Sequence, residues 1–214
     1  RLSGTGLRIA GWWLKGEGSE CMVCGNHYRK FLPYGRLNAR ENALCPGCLS
    51  LERHRLTWLW LKEKMDFFTS QKAVLHIAPE NCFIRPFRKQ HGSGYVTADI
   101  ESPLADVRMD IMAMPFSEGS FDVIFCSHVL EHVRDDIRAI QEIRRVLKPG
   151  GWAMLQVPFF APIPDRTFED PSVTDAFQRE KLFGQSDHVR RYGRDFASRI
   201  ASAGLMVKED DFAF

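Results

Sequence analysis

From residue 72 onward the chain alternates short apolar runs with amphipathic stretches, and this alternation restricts the fold more than any other feature of the 214 residues. Strand–helix–strand repeats call for a parallel sheet with helices on both faces. Ala73–Ile77 reads as a first buried strand. A helix near Cys82–Lys89, disturbed by Pro86, follows it before Gly92 and Gly94 break the chain. Tyr95–Ala98 reads as a second strand ending at Asp99, and Val107 and Met109 mark a short third ending at Asp110. Phe121–Cys126 is the fourth. A helix from about Asp135 places Ile137, Ile140, Ile143 and Leu147 on one face, and Pro149-Gly150-Gly151 ends it. Trp152–Val157 then forms a fifth strand. A long insertion, a helix near Arg194–Ala203 and a strand from Leu205 to about Val207 complete the expected domain.

Ahead of this domain lie two C-x-x-C pairs, Cys21/Cys24 and Cys45/Cys48, twenty residues apart. Two tight turns, each presenting two thiolates, are the zinc-ribbon pattern, and four thiolates close a tetrahedral shell. A structural zinc is therefore expected, with Gly25 and Gly47 giving the knuckles a permissive backbone. His27 stands as an alternative ligand. The run His27–Leu37 suggests a short hairpin turning at Pro33-Tyr34-Gly35. Cys82 and Cys126 fall outside the quartet and read as core or site-lining thiols. Ser50 is the expected N-cap of a helix from Leu51 to about Asp66, apolar enough around Thr57–Leu61 to be buried. The expected organisation is a zinc-ribbon module over residues 1–50, a connecting helix over 51–70 and a Rossmann-like, doubly wound, mostly parallel α/β domain over 71–214.

Charge adds little. Residues 1–66 hold 11 Lys/Arg against 6 Asp/Glu, and the remainder 18 against 21. That excess is thin for a polyanion grip, which normally engages several phosphates. No apolar run is long enough to span a bilayer, no secretory signal pattern opens the chain, and paired C-x-x-C motifs point to a reducing compartment, so a cytoplasmic address is expected.

Open sheets of this kind bind ligands beyond the carboxyl ends of their strands, where strand order reverses. Asp99 is placed to accept hydrogen bonds from the hydroxyls of a nucleoside ribose, and Asp110 from an exocyclic amine of adenine. Capping, or pairing with Arg108, is the alternative for each. The runs Asp110–Phe116, Ser120–Ile124, Val129-Leu130-Glu131-His132-Val133 and Leu147-Lys148-Pro149-Gly150-Gly151 resemble class I S-adenosylmethionine-dependent methyltransferases of the broad "type 11" group. The resemblance covers roughly residues 72–214 and implies a seven-stranded sheet, whose last strand is missing here or lies beyond Phe214. It implies S-adenosylmethionine as cofactor, with His76, Ala78, Pro79, Glu80, Asp99, Ile100, Asp110, Ile111 and Ser127 lining its site.

One loop departs from the pattern. The group usually ends its first strand in an acidic residue followed by Gly-x-Gly, whereas this chain reads His76-Ile77-Ala78-Pro79-Glu80. Ala78 still permits close approach, Pro79 removes an amide donor, and Glu80 offers an acceptor for the cofactor's ammonium.

The acceptor face is expected after the fourth and fifth strands and within the insertion 161–184, which reads as a structureless lid. His128 and His188 are the general-base candidates, because histidine titrates near neutrality. An orienting role for His128 and simple packing for His132 are the alternatives. Phe159, Phe160, Arg191 and Tyr192 are candidate acceptor contacts, and Arg190 or Arg191 would suit an anionic acceptor or cap the lid. A small-molecule or glycan acceptor is expected. An RNA methyltransferase gripping phosphates through the ribbon and Arg53/Arg55, and a non-catalytic scaffold, are the competing readings.

Overall fold

The computed structural model describes residues 11–35, 39–210 and 212. The described residues form two compact units: one takes those up to Gln71 together with Glu80–Gly92 and Phe212, the other Lys72–Pro79 and residues 93–210.

The first unit holds two small antiparallel pairs, β1 (Lys15–Glu20) with β2 (His27–Tyr28) and β3 (Leu32–Tyr34) with β4 (Arg40–Leu44). Pro33 and Tyr34, expected in the turn, lie in β3 instead. A two-stranded ribbon has only edge strands, where proline's missing N–H costs no ladder bond. Residues 36–38, Leu37 among them, lie outside the described residues.

Helix α1 (Glu52–Glu63) starts from Leu51 rather than Ser50 as N-cap; the Leu51 N–H donates to His54 Nδ1 at 3.0 Å. It buries His54, Thr57 and Leu61 and leaves Leu56 exposed, so one face is packed rather than all of it. Helix α2 (Asn81–His91) runs through Pro86 unbroken. Its Phe83 and Phe87 stack at 5.0 Å, and Trp58 and Phe67 close on them with ring centroids at 4.7–6.4 Å, making an aromatic core.

The second unit is a five-stranded, fully parallel sheet in the order β7-β6-β5-β8-β9. Its strands are β5 (Val74–Ile77), β6 (Tyr95–Asp99), β7 (Val107–Arg108), β8 (Phe121–Ser127) and β9 (Leu147–Gln156). Strand order reverses between β5 and β8, the switch point of a doubly wound sheet. Helices α3 (Asp136–Val146) and, further along, α5 (Phe196–Ser202) flank it, burying Ile140, Ile143 and Ile200 with Leu75, Ile124 and Leu130 in one core. This is the expected Rossmann-like α/β architecture.

Three elements depart from expectation. The Leu-Lys-Pro-Gly-Gly run belongs to β9 rather than ending a helix: Lys148 Nζ meets Asp122 Oδ1 at 2.9 Å, and a Cβ on Gly151 would lie 2.7 Å from the Asp122 carbonyl oxygen. The insertion is structured. It contributes β10 (Phe168–Glu169), paired antiparallel with β11 (Arg190–Arg191), and helix α4 (Ala176–Phe183), N-capped by Asp175 accepting from the Gln178 N–H at 2.9 Å. Residues 205–210 form no strand.

Candidate functional site

The four cysteines converge. Cys21 and Cys48 sulfurs lie 3.5 Å apart and those of Cys24 and Cys45 3.8 Å apart. Four ligands at about 2.3 Å around a tetrahedral zinc stand about 3.8 Å from one another, so the quartet fits that ion. The two knuckles are built alike. The Gly25 N–H donates to the Cys21 carbonyl at 2.7 Å and the Leu49 N–H to the Cys45 carbonyl at 2.9 Å. Gly25 and Leu49 both take positive φ, 67° and 63°. Gly47, expected to serve this purpose, serves another: a Cβ there would sit 2.1 Å from the Tyr28 hydroxyl. Ser50, free of the helix cap, places its hydroxyl 3.2 Å from both Cys21 and Cys48 sulfurs. The expected alternative ligand, His27, is exposed and is not in the cluster. Cys82 is buried and its thiol is pushed up to about 12, first by burial and then by the charge of Glu80, which makes it inert. Arg55 is occupied: it donates to the Ala43 and Ser50 carbonyls at 2.9 Å and lies 4.6 Å over the Phe31 ring.

At the carboxyl edge of the sheet, Asp99 closes β6 and Asp110 follows β7. Asp99 Oδ1 accepts from the Glu101 and Ser102 N–H groups at 2.8 Å, closing a local turn, and the side chain is half-buried. Asp110 Oδ1 accepts from the Met112 N–H at 2.8 Å, and the side chain is exposed. Neither pairs with Arg108, whose Nε donates to the Ile100 carbonyl. Ile100 is 57% exposed beside Asp99, an apolar platform at a polar strand end, whereas Ile111 is buried. Ala78, just beyond β5, takes φ of 49° with its N–H on the Ala98 carbonyl at 2.9 Å. The backbone at that position has the left-handed form that glycine adopts without strain.

His76 lies within β5, buried, its Nδ1 2.8 Å from the Tyr95 hydroxyl, and so belongs to the sheet interior rather than to its edge. Pro79 is buried after Ala78. Glu80 falls in the first unit as N-cap of α2, 4.0 Å from His54 Nε2. Ser127, at the end of β8, donates to Gln156 Oε1 at 2.9 Å.

Beyond β8 the chain turns through His128, another non-glycine residue at positive φ (55°). The loop that follows is tied to the His188–Arg190 segment. Val189 N–H donates to the Glu131 carbonyl, and the buried Arg190 guanidinium donates to the carbonyls of Leu130, Val133 and Arg134. Arg190 is thus committed to the loop and to Glu169, not to an acceptor. Tyr192 is likewise 1% exposed, its hydroxyl donating to Asp136 Oδ2 at 2.8 Å, so it is a core residue and not an open contact. Asp136 also takes two bonds from Arg199, at 2.7 and 3.1 Å. Burial alone would raise the Asp136 carboxyl; Arg199, Arg190 and Tyr192 reverse that and hold it below its ordinary value.

Arg191 donates to the Phe160 and Pro162 carbonyls and anchors the start of the insertion. Phe159 is exposed, and Phe160 is partly buried 6.1 Å from the His188 ring. His188 is fully buried and its pKa is lowered, chiefly by desolvation. With His132 and Glu131 it forms a second close cluster of ligand-bearing side chains. His128 and His188 are the base candidates that the sequence offers, whereas Glu131 stands there only within the Val129–Val133 run.

Residues 86–155 match the family model described as a methyltransferase domain. Among curated proteins, an uncharacterised 37.1 kDa protein of a Streptomyces fradiae transposon is 32% identical over 109 residues, 49% of this chain and 30% of that protein. The uncharacterised methyltransferase YcgJ of Bacillus subtilis is 30% identical over 98 residues, 46% and 36% respectively. The chain spans no more than 36% of the length of these relatives. Among solved structures, an S-adenosylmethionine-dependent methyltransferase from Mesorhizobium loti superimposes with a TM-score of 0.52 at 16% identity, over 72% of this chain and 83% of that one. The [4+2]-cyclase SpnF gives 0.55 at 15% identity, over 86% and 67%. At such identities the likeness is one of fold. Among the described residues no helix is long and apolar enough to cross a membrane. Residues 86–155 thus match a methyltransferase-domain model, and the sheet that they contribute to is Rossmann-like.

Proposed function

We propose that the chain transfers a methyl group from S-adenosylmethionine to a small-molecule or glycan acceptor. The observation that carries this reading is the pair Asp99 and Asp110, set at the carboxyl ends of adjacent parallel strands, with Ala78 in left-handed backbone at the end of the next strand. Asp99 has a second carboxylate oxygen, not used in its local turn, for ribose hydroxyls, exposed Ile100 offers an apolar face to a purine, and Asp110 is open to an exocyclic amine. Once bound there, the cofactor supplies an electrophilic methyl carbon on a positively charged sulfur.

Little covalent help is then needed from the chain, whose task is alignment, exclusion of water and, for a hydroxyl or amine acceptor, removal of a proton. His128 is the base this arrangement favours, since its side chain is 34% exposed just past β8 while His188 is sealed. Phe159 and Phe160 would bound the acceptor on the insertion side. The cysteine quartet would hold a zinc ion with a purely structural role, since four thiolates leave no open position.

Calorimetric titration with S-adenosylhomocysteine tests the reading. One site per chain is expected, weakened at least about tenfold by Asp99→Ala, a loss of about 1.4 kcal/mol; no binding to the folded protein would overturn it. An RNA acceptor is the second reading. The fixed carbonyl partners of Arg55 remove one of the two cations it relied on, and absence of steep salt-dependent RNA retention would dispose of it.

A further inference from the structure

We propose that Glu131, His132 and His188 form a binding site for a divalent transition-metal cation, separate from the cysteine quartet. Their ligand atoms lie no more than 4.8 Å from one another. The centre of such a triangle is within about 2.8 Å of every corner, against about 2.0–2.2 Å for zinc–nitrogen and zinc–oxygen bonds. Side-chain shifts of well under an ångström therefore close the shell.

Two of the three residues carry a buried atom without a hydrogen-bond partner. Glu131 is 1% exposed and its Oε2 has no hydrogen-bond partner; His188 is fully buried and its Nε2 has none either. An unpartnered buried carboxylate oxygen is costly, and an unpartnered buried imidazole nitrogen is costly too. A cation offsets both.

The imidazoles are also oriented as ligands. His188 Nδ1 is 3.1 Å from the Phe183 carbonyl oxygen, which fixes its proton there and leaves Nε2 a bare lone pair. His132 Nδ1 is 3.4 Å from Asp187 Oδ2, while its Nε2 faces Glu131 Oε1 at 4.0 Å. A carboxylate or carbonyl behind each histidine is the outer shell that metal-binding imidazoles have.

Two imidazoles and one carboxylate favour zinc, manganese, iron or cobalt over magnesium, which prefers an all-oxygen shell. The rim is open on one side: His132 is exposed, and His128 Nδ1 stands 3.4 Å from Glu131 Oε1. Three protein ligands leave positions for oxygen atoms of a small molecule. That these oxygens belong to a methyl acceptor rests on the function proposed above; the cation site does not.

Untagged protein, its cysteine quartet loaded with zinc, is dialysed against zinc or manganese and the bound metal counted by elemental analysis. Wild type is expected to take a second equivalent of zinc, and one of manganese, which thiolates bind poorly. Glu131→Gln and His132→Ala, each shown to fold by circular dichroism, are expected to lose that equivalent, with affinity down at least about tenfold. The exposed Asp165→Asn is expected to keep it. Wild type binding neither a second zinc nor manganese would overturn the proposal, as would retention of the second equivalent by both Glu131→Gln and His132→Ala. Calorimetry with S-adenosylhomocysteine on the same samples reads the methyl-transfer hypothesis separately.

Discussion

The cysteine quartet and the Glu131/His132/His188 cluster gather similar numbers of ligand atoms by opposite routes. In the quartet each C-x-x-C pair sits on one tight turn, closed by a backbone bond to its first cysteine and a left-handed residue just after its second. Spacing alone encodes that geometry. The second cluster joins a loop after β8 to a segment 56 residues further along, and a buried scaffold of Arg190, Asp136, Tyr192 and Arg199 holds the two together. Local chemistry writes the first site; packing writes the second.

The largest expected effect tests the independence of the two. Stripping metal with a strong chelator, or substituting Cys45→Ser, should unfold the ribbon, since binding at such sites is worth on the order of 10 kcal/mol. Hydrogen exchange should show protection lost across β1–β4 while β5, β6 and β8 stay protected. Simultaneous loss in the central sheet strands would erase the contrast.

Next comes Asp136→Asn, which removes the charge that Arg190 and Arg199 face. Breaking a buried pair costs about 3–5 kcal/mol, and the melting temperature should fall accordingly, with exchange rising at residues 130–134 and 188–192. The pH dependence follows from the depressed carboxyl. Its folded value lies below the unfolded one of about 4, so its stabilisation is complete above that value and lost as pH falls through the folded one. Acid melting that is equal in wild type and Asp136→Asn would show that the knot contributes nothing.

Gly47→Ala should cost about 1–3 kcal/mol through its clash with the Tyr28 hydroxyl. Tyr28→Phe, which removes that oxygen, should return part of the loss in a double-mutant melting cycle; strict additivity would mean the close approach is not the cause. The smallest effect is Ala78→Gly. Relief of left-handed strain is worth about 1–2 kcal/mol, and the greater freedom of glycine when unfolded offsets about 0.5–1 kcal/mol of it. A slight gain in melting temperature is expected, and a clear fall would mean Ala78 is unstrained.

Legibility in the sequence followed the same division. The quartet and four of the five parallel strands were readable because their signals are local: cysteine spacing, and apolar runs ending in polar residues. The start of β9 was misplaced because Pro149 and Gly150 signal a break, whereas the Lys148–Asp122 contact draws the run into the sheet. The insertion read as structureless because a two-residue β10 has no periodicity of its own; only pairing with β11 defines it. Tyr192 reads as an acceptor contact from the place of the Asp187–Tyr192 run just after the insertion, yet Asp136, 56 residues earlier, takes its hydroxyl. Glu131 is inconspicuous for the same reason. An adjacent Glu-His pair after a strand carries little information until His188 is brought beside it.

The insertion is pinned at both feet. Arg191 grips the carbonyls of Phe160 and Pro162, and Asp195 accepts from the Thr167 N–H and hydroxyl at 2.7 Å. Between those anchors, much of α4 and its approach is exposed and its tip owes little to the sheet. A segment fastened this way is exchangeable: residues 170–182 are where an engineer should graft foreign sequence to retarget the protein without disturbing its frame.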